Sequence, residues 1–225
     1  MAEESKNAFS EFIGDFMKRE KADKLERYRH LNKFVKKGQI LFTGSSLMEQ
    51  FPIQEILLNH GMNLTIYNRG IGGYTIPEML DAMNEQILDL EPSKIFINIG
   101  TNDISIPDET KEKLISDYRQ VLTQIKEKLP ETVVYLMAYY PVNETVAAKM
   151  PWPGADRAAI LRRERLPEAN AAVKALAEEF GYNYIDVNDG LTGSDGKTKE
   201  EFSIDGIHMW SDAYEVVFEN MKKYL

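Results

Sequence analysis

Only one of the three histidines in this 225-residue chain has the neighbours that proton-transfer chemistry requires. His30 lies in a basic helical stretch and His60 in an Asn-His-Gly helix ending, whereas His208 closes the run Asp205-Gly206-Ile207-His208 with apolar flanks. An imidazole oriented by a carboxylate is what a serine nucleophile needs as its general base. The pair would equally serve as an Asp-Gly turn and a surface histidine. Its spacing on a turn entering a helix, however, allows the carboxylate to reach Nδ1. A matching serine lies far upstream in Leu41-Phe42-Thr43-Gly44-Ser45-Ser46-Leu47, where an apolar run breaks into small residues and then a helix. A nucleophile near the N-terminus and a base near the C-terminus point to a serine hydrolase.

Three further positions could stabilise the oxyanion that such chemistry creates. Ser46 opens a helix, so its hydroxyl feels the positive end of the helix dipole and its own N–H can face an oxyanion; Ser45 or Ser46 would also serve as a simple helix cap. Gly73 closes Gly70-Ile71-Gly72-Gly73, where glycine permits close backbone approach and frees an N–H, or else makes a tight turn. That run lacks the G-x-G-x-x-G spacing of a dinucleotide loop. Asn102, in Gly100-Thr101-Asn102-Asp103, offers an amide donor or an Asx turn. The acidic cluster Asp186, Asn188, Asp189, Asp195 misses the spacing of a calcium loop. With so few histidines and no cysteine, zinc sites and thiolate nucleophiles are not expected.

Alternating elements must carry these residues. Residues 5–36 read as a helix with an apolar stripe of Phe9, Phe12, Ile13, Phe16 and Met17, continued by Leu25, Tyr28, Leu31 and Val35. Strands are expected at 39–43, 64–68, 94–99, 132–138 and 182–187. Helices are expected at 46–59, from Pro77, and over 109–129, 167–180 and 211–224. Residues 141–166 read as one irregular insertion with a cluster of arginines. Five strands alternating with helices predict a doubly wound α/β domain with a parallel sheet. Ligands of such sheets bind beyond the carboxyl ends of the strands, where every candidate lies. Residues 1–37 are expected to form a helical extension on the domain at 38–225, packed on the sandwich or on a second copy; the alternative for the stripe is an interfacial membrane helix.

The chain can bury a sizeable core as one domain. A net charge of −9 argues against general affinity for nucleic acid or anionic membrane. No apolar run approaches a membrane span, and the acidic N-terminus does not read as a secretory signal. The absence of cysteine rules out disulfides, so a cytoplasmic location is the simple expectation.

Four blocks in order, Gly44-Ser45-Ser46-Leu47, Asn68-Arg69-Gly70-Ile71-Gly72-Gly73, Gly100-Thr101-Asn102-Asp103 and Asp205-Gly206-Ile207-His208, resemble those of the SGNH hydrolases, also called GDSL esterases and lipases. The resemblance spans about 38 to 225. It implies a flavodoxin-like α/β/α sandwich. It also implies Ser46, Asp205 and His208 as catalytic residues, and Ser46, Gly73 and Asn102 as oxyanion donors. Ser45 replaces the usual aspartate before the nucleophile, Tyr74 a frequent aspartate, and Met209 a common proline. The expected activity is hydrolysis of a small-molecule acyl ester, without cofactor or metal. Thioesterase, lysophospholipase and sugar O-acetylesterase are alternatives on the same fold, and a non-catalytic binding module is an alternative of another class. The charged residues of 141–166 are expected to form a polar rim suited to a small alcohol.

Overall fold

The apolar runs form one parallel sheet in the computed structural model, which describes residues 2–152 and 154–225, with side chains from residue 11 onward. Its strands are β1 (Ile40–Gly44), β2 (Ile66–Asn68), β3 (Lys94–Asn98), β4 (Val133–Met137) and β5 (Asn183–Ile185), in the order β2-β1-β3-β4-β5. This is the flavodoxin-like doubly wound order. In register, Phe42 of β1 faces Asn68 of β2 on one side and Phe96 of β3 on the other.

Successive side chains of a strand point to opposite faces, and the sequence supplies apolar groups for both. Leu41, Ile95, Ile97, Val134 and Leu136 enter one core, while Phe42, Phe96 and Met137 enter the other. The helices follow in chain order: α1 (Ala2–Leu31), α2 (Ser46–Glu49), α3 (Ile53–Asn59), α4 (Ile76–Asp81), α5 (Met83–Gln86), α6 (Lys111–Lys128), α7 (Glu144–Ala147), α8 (Ala155–Phe180) and α9 (Ser211–Met221). The first core is covered by α4, α5, α6 and α8, and the second by α2, α3 and α9. The result is the expected three-layer sandwich.

Local chemistry sets the helix boundaries. A capping box joins Thr75 and Glu78 at the start of α4, and the Thr110 side chain accepts from the Lys113 N–H at the start of α6. The helix expected over 46–59 divides at Pro52, which lacks an N–H and pushes the residue before it out of helical geometry. The helix expected from 167 begins instead at Ala155 and carries Pro167 in its interior. Residues 141–166 are therefore largely helical, with α7 and the first half of α8 joined by a short non-helical stretch. The proline forgoes one helical hydrogen bond, but the alanine-, leucine- and arginine-rich residues before it favour helix strongly.

The stripe of α1 divides in two. Leu25, Tyr28 and Val35 pack against the core, and Lys24–Glu49 (2.9 Å), Tyr28 Oη donating to Gly70 O (2.6 Å) and Arg29–Glu85 (2.6 Å) fasten this half. Phe12, Ile13, Phe16 and Met17 remain exposed, and Phe9 lies outside the described side chains. Among the described residues, no helix is long and apolar enough to cross a membrane.

Candidate active site

The crossover from β1 to β2 and the return to β3 open a crevice at the carboxyl ends of β1 and β3, the place where such sheets bind ligands. Ser46 follows β1, Gly73 follows β2, Asn102 follows β3, and Asp205–His208 lie between β5 and α9. Gly44 makes the approach of β1 to β3 possible: its φ is 151°, and a Cβ there would stand 2.0 Å from Asn98 O.

Ser46 Oγ lies 2.9 Å from His208 Nε2, and His208 Nδ1 lies 2.7 Å from Asp205 Oδ2. The second Asp205 oxygen accepts the backbone N–H groups of Ile207 (2.9 Å) and His208 (2.7 Å). The turn thus presents its carboxylate to the ring of its own last residue. Burial by itself would raise the Asp205 carboxyl. The hydrogen bonds from the His208 ring and from the His208 and Ile207 backbone outweigh burial and hold it well below the usual carboxylate range. The Ser45 side chain makes no cap hydrogen bond to α2; its hydroxyl is buried 3.5 Å from Thr101 Oγ1, while the Ser46 hydroxyl turns to the imidazole.

Beside Ser46 Oγ stand three donor groups. Among the described residues, the N–H groups of Ser46 and Gly73 have no protein partner, while the neighbouring Gly72 N–H is taken by Glu49 Oε2 at 2.7 Å. Gly73 adopts a φ of 74°. Asn102 Nδ2 donates one hydrogen to Tyr74 O at 2.8 Å and keeps a second for the cleft. The Asn102 amide also accepts from Arg162 Nη2 at 3.3 Å, so it does not form the Asx turn open to it in sequence. The next residue, Asp103, is buried, and burial pushes its carboxyl up to about 6 against the Ile76 N–H it accepts.

A cleft of about 380 Å³ joins these groups. Ser46, Gly72, Gly73, Asn102 and His208 line one side, and Phe16, Met17, Glu20, Lys21 and Lys24 of α1 line the other. Sequence reasoning assigned α1 no part in the site, because its periodicity reports an apolar face and not what that face borders. Arg162, read in sequence only as one of the charged residues of the 141–166 rim, sits on the buried face of α8 between Ala159 and Leu166. Had the helix been read through Pro167, a lone charge in an Ala/Leu/Val stripe would have marked it.

The arginine rim expected from 141–166 does not form. Arg162 is buried, Arg163 pairs with Glu144, and Arg165 donates to the carbonyls of Ile104, Ile106 and Pro107. No residue of 141–166 among those described lines the cleft, and Pro153 lies outside the described residues. Arg163 thus ties α8 to α7, while Arg162 and Arg165 tie it to the residues that follow β3. Far from the cleft, His60, Glu215 and Glu219 cluster, but the carboxylates meet opposite nitrogens of the ring, so they clasp the imidazole instead of converging with it on one point.

Comparison with known proteins assigns the family. The family model of the GDSL-like Lipase/Acylhydrolase family matches residues 49–216. The chain belongs to that family. It is a hydrolase of the esterase and acylhydrolase type, and Ser46 falls just before the matched stretch. Similar proteins include N-acylneuraminate cytidylyltransferase of Escherichia coli O18:K1:H7, 24% identical over 188 residues. That match takes in 83% of this chain but only 40% of the longer relative. Another is the platelet-activating factor acetylhydrolase IB subunit alpha2 of Rattus norvegicus, 23% identical over 81% of this chain and 76% of the relative. Among solved structures, a Streptococcus pneumonia protein provisionally assigned as a platelet activating factor superimposes with a TM-score of 0.84. It is 28% identical, and the match covers 97% of this chain and 98% of that one.

Proposed function

We propose that this chain is a serine ester hydrolase that cleaves small acyl esters through an acyl-enzyme on Ser46. The observation that carries the reading is the unbroken hydrogen-bonded series from Ser46 Oγ to His208 (2.9 Å) to Asp205 (2.7 Å) at the floor of the cleft. Ser46 Oγ attacks the acyl carbonyl carbon while His208 Nε2 takes its proton, and Asp205 holds the proton on Nδ1 and stabilises the imidazolium. The oxyanion accepts from the Ser46 and Gly73 N–H groups and the Asn102 amide, each worth about 3 kcal/mol in the barrier. Collapse breaks the ester C–O bond, and His208 returns its proton to the departing alcohol. Water then attacks the acyl-enzyme with His208 again as base, releasing the acid and restoring Ser46. These steps use protein groups and water alone.

A short acyl group fits a cleft of this size, closed on one side by α1, and agrees with the acetylhydrolase in the rat relative's name. A fluorophosphonate probe tests the mechanism, since it reacts only with an activated serine. The expected result is labelling of the parent protein and of Ser45→Ala. Ser46→Ala should take no label and hydrolyse no p-nitrophenyl acetate while keeping its fold. Activity in folded Ser46→Ala would overturn the assignment, and an unlabelled, inactive parent would favour a binding module.

A further inference from the structure

The buried arginine of α8 has no place in the steps above. Arg162 is 4% exposed, and among the described residues no carboxylate reaches it within salt-bridge distance, although it feels the charge of nearby Asp205. A buried cation held away from salt-bridge contact costs stability unless hydrogen bonds offset the lost hydration. Its contacts show what it acts on. Nη2 donates to Asn102 Oδ1 at 3.3 Å, and Nε donates to Ser105 Oγ at 3.0 Å. Ser105 Oγ in turn donates to Thr101 O at 2.8 Å, so the guanidinium is held against the Thr101–Ser105 turn by two points.

An amide side chain has two nearly isosteric ends, and only its nitrogen end can serve an oxyanion. Turned over, Asn102 would present its carbonyl oxygen to developing negative charge. Tyr74 O captures one amide hydrogen at 2.8 Å, and the guanidinium occupies the oxygen. Together they leave one orientation, with the remaining N–H toward the cleft that Asn102 lines. A full positive charge at the oxygen also withdraws electrons from the amide, making that N–H a stronger donor.

Resting on the proposed acyl transfer at Ser46, we propose that Arg162 is a positioning residue of the oxyanion site, locking and polarising the Asn102 amide from behind. The guanidinium keeps its charge: burial lowers its affinity for the proton only to about 10, and the neighbouring Asp205 charge opposes the fall.

A double-mutant cycle on p-nitrophenyl acetate tests this, with Ser46→Ala run in parallel. Arg162→Met is expected to lower kcat by about 10- to 100-fold with KM nearly unchanged, and Asn102→Ala by about 100- to 1,000-fold. Because the arginine acts through the amide, the double variant should be no slower than Asn102→Ala alone. Arg162→Lys, which keeps the charge but not the planar fork, should recover part of the loss. Assayed well below its melting temperature, folded Arg162→Met should still show the kcat loss, unlike a residue whose role is only to hold the fold. Should the methionine variant not fold, Arg162→Gln runs the same cycle. Losses that multiply in the double variant, or an activity loss that follows a falling melting temperature, overturn the inference while leaving the Ser46 mechanism intact. Activity in Ser46→Ala overturns both.

Discussion

Asp205 spends both oxygens inside its own turn, on two backbone N–H groups and on the His208 ring. Its carboxylate therefore stays charged at neutral pH and well below it. The pH profile of activity should therefore carry no step from this carboxylate at or above neutral pH. Asp205→Asn removes the imidazolium's counter-charge and can set the wrong ring tautomer. At neutral pH, kcat on p-nitrophenyl acetate should fall by on the order of 10³- to 10⁴-fold with little change in KM. An Asp205→Asn variant that keeps a tenth of its activity would assign the orientation of His208 to something other than this carboxylate.

At the scale of elements, α1 is the least expected part of the site. From Lys21 onward it is tied to the sandwich: Lys21 pairs with Glu78 at 2.7 Å, and Lys24 pairs with Glu49, which also holds the Gly72 N–H. Phe16 and Met17, one turn earlier, border the cleft while staying about half exposed. Exposed side chains contribute little to stability, so Phe16→Ala/Met17→Ala should cost less than about 1 kcal/mol. If these two limit acyl length, the parent should prefer acetate and butyrate and decline beyond about eight carbons, since each methylene that fits is worth about 0.8 kcal/mol and one that does not gains nothing. The double variant should flatten that decline. Specificity constants for p-nitrophenyl esters from acetate to palmitate, below micellar concentrations, check both. A palmitate optimum in the parent would make the protein a lipase and remove the size argument.

For the whole molecule, one buried carboxyl, Asp103, and one half-buried, Asp205, make stability respond to pH in opposite directions. Asp103, 2% exposed, binds its proton more tightly folded, at about 6, than its ordinary value of 3.8. The folded state therefore holds more protons between about pH 4 and 6, and stability declines as pH rises through that window, by at most about 3 kcal/mol. Asp205 has the reverse sign: its depressed value contributes stability above the usual carboxylate range, which is lost as pH falls further. Melting temperatures at pH 5 and pH 8 separate Asp103 from the background of other groups. The change between the two pH values should be more favourable to the higher pH in Asp103→Asn than in the parent. An identical change in both would show that Asp103 does not titrate in this range.

The amino-acid sequence by itself determined the α/β class, the five strands and the four short blocks, because the period of apolar residues and turn chemistry are local properties. Phe42 and Phe96 alternate with Leu41 and Ile95 whatever the rest of the chain does, and Asp205 reaches His208 within one turn. Boundaries at Pro52 and Pro167 went astray in opposite senses, since a proline ends a helix or sits within one according to how strongly its flanks favour helix and pack. What only the tertiary structure decided were contacts between residues remote in the chain. Ser46 meets His208 across 162 positions, Asn102 meets Arg162 across 60, and α1 comes to border the cleft. Sheet order β2-β1-β3-β4-β5 brings the strand ends that carry Ser46 and Asn102 together, and the docking of α8 and α1 on the sandwich supplies the rest. It also turns an arginine cluster that reads as a solvated rim into the fastening of α8, with one guanidinium behind the oxyanion amide.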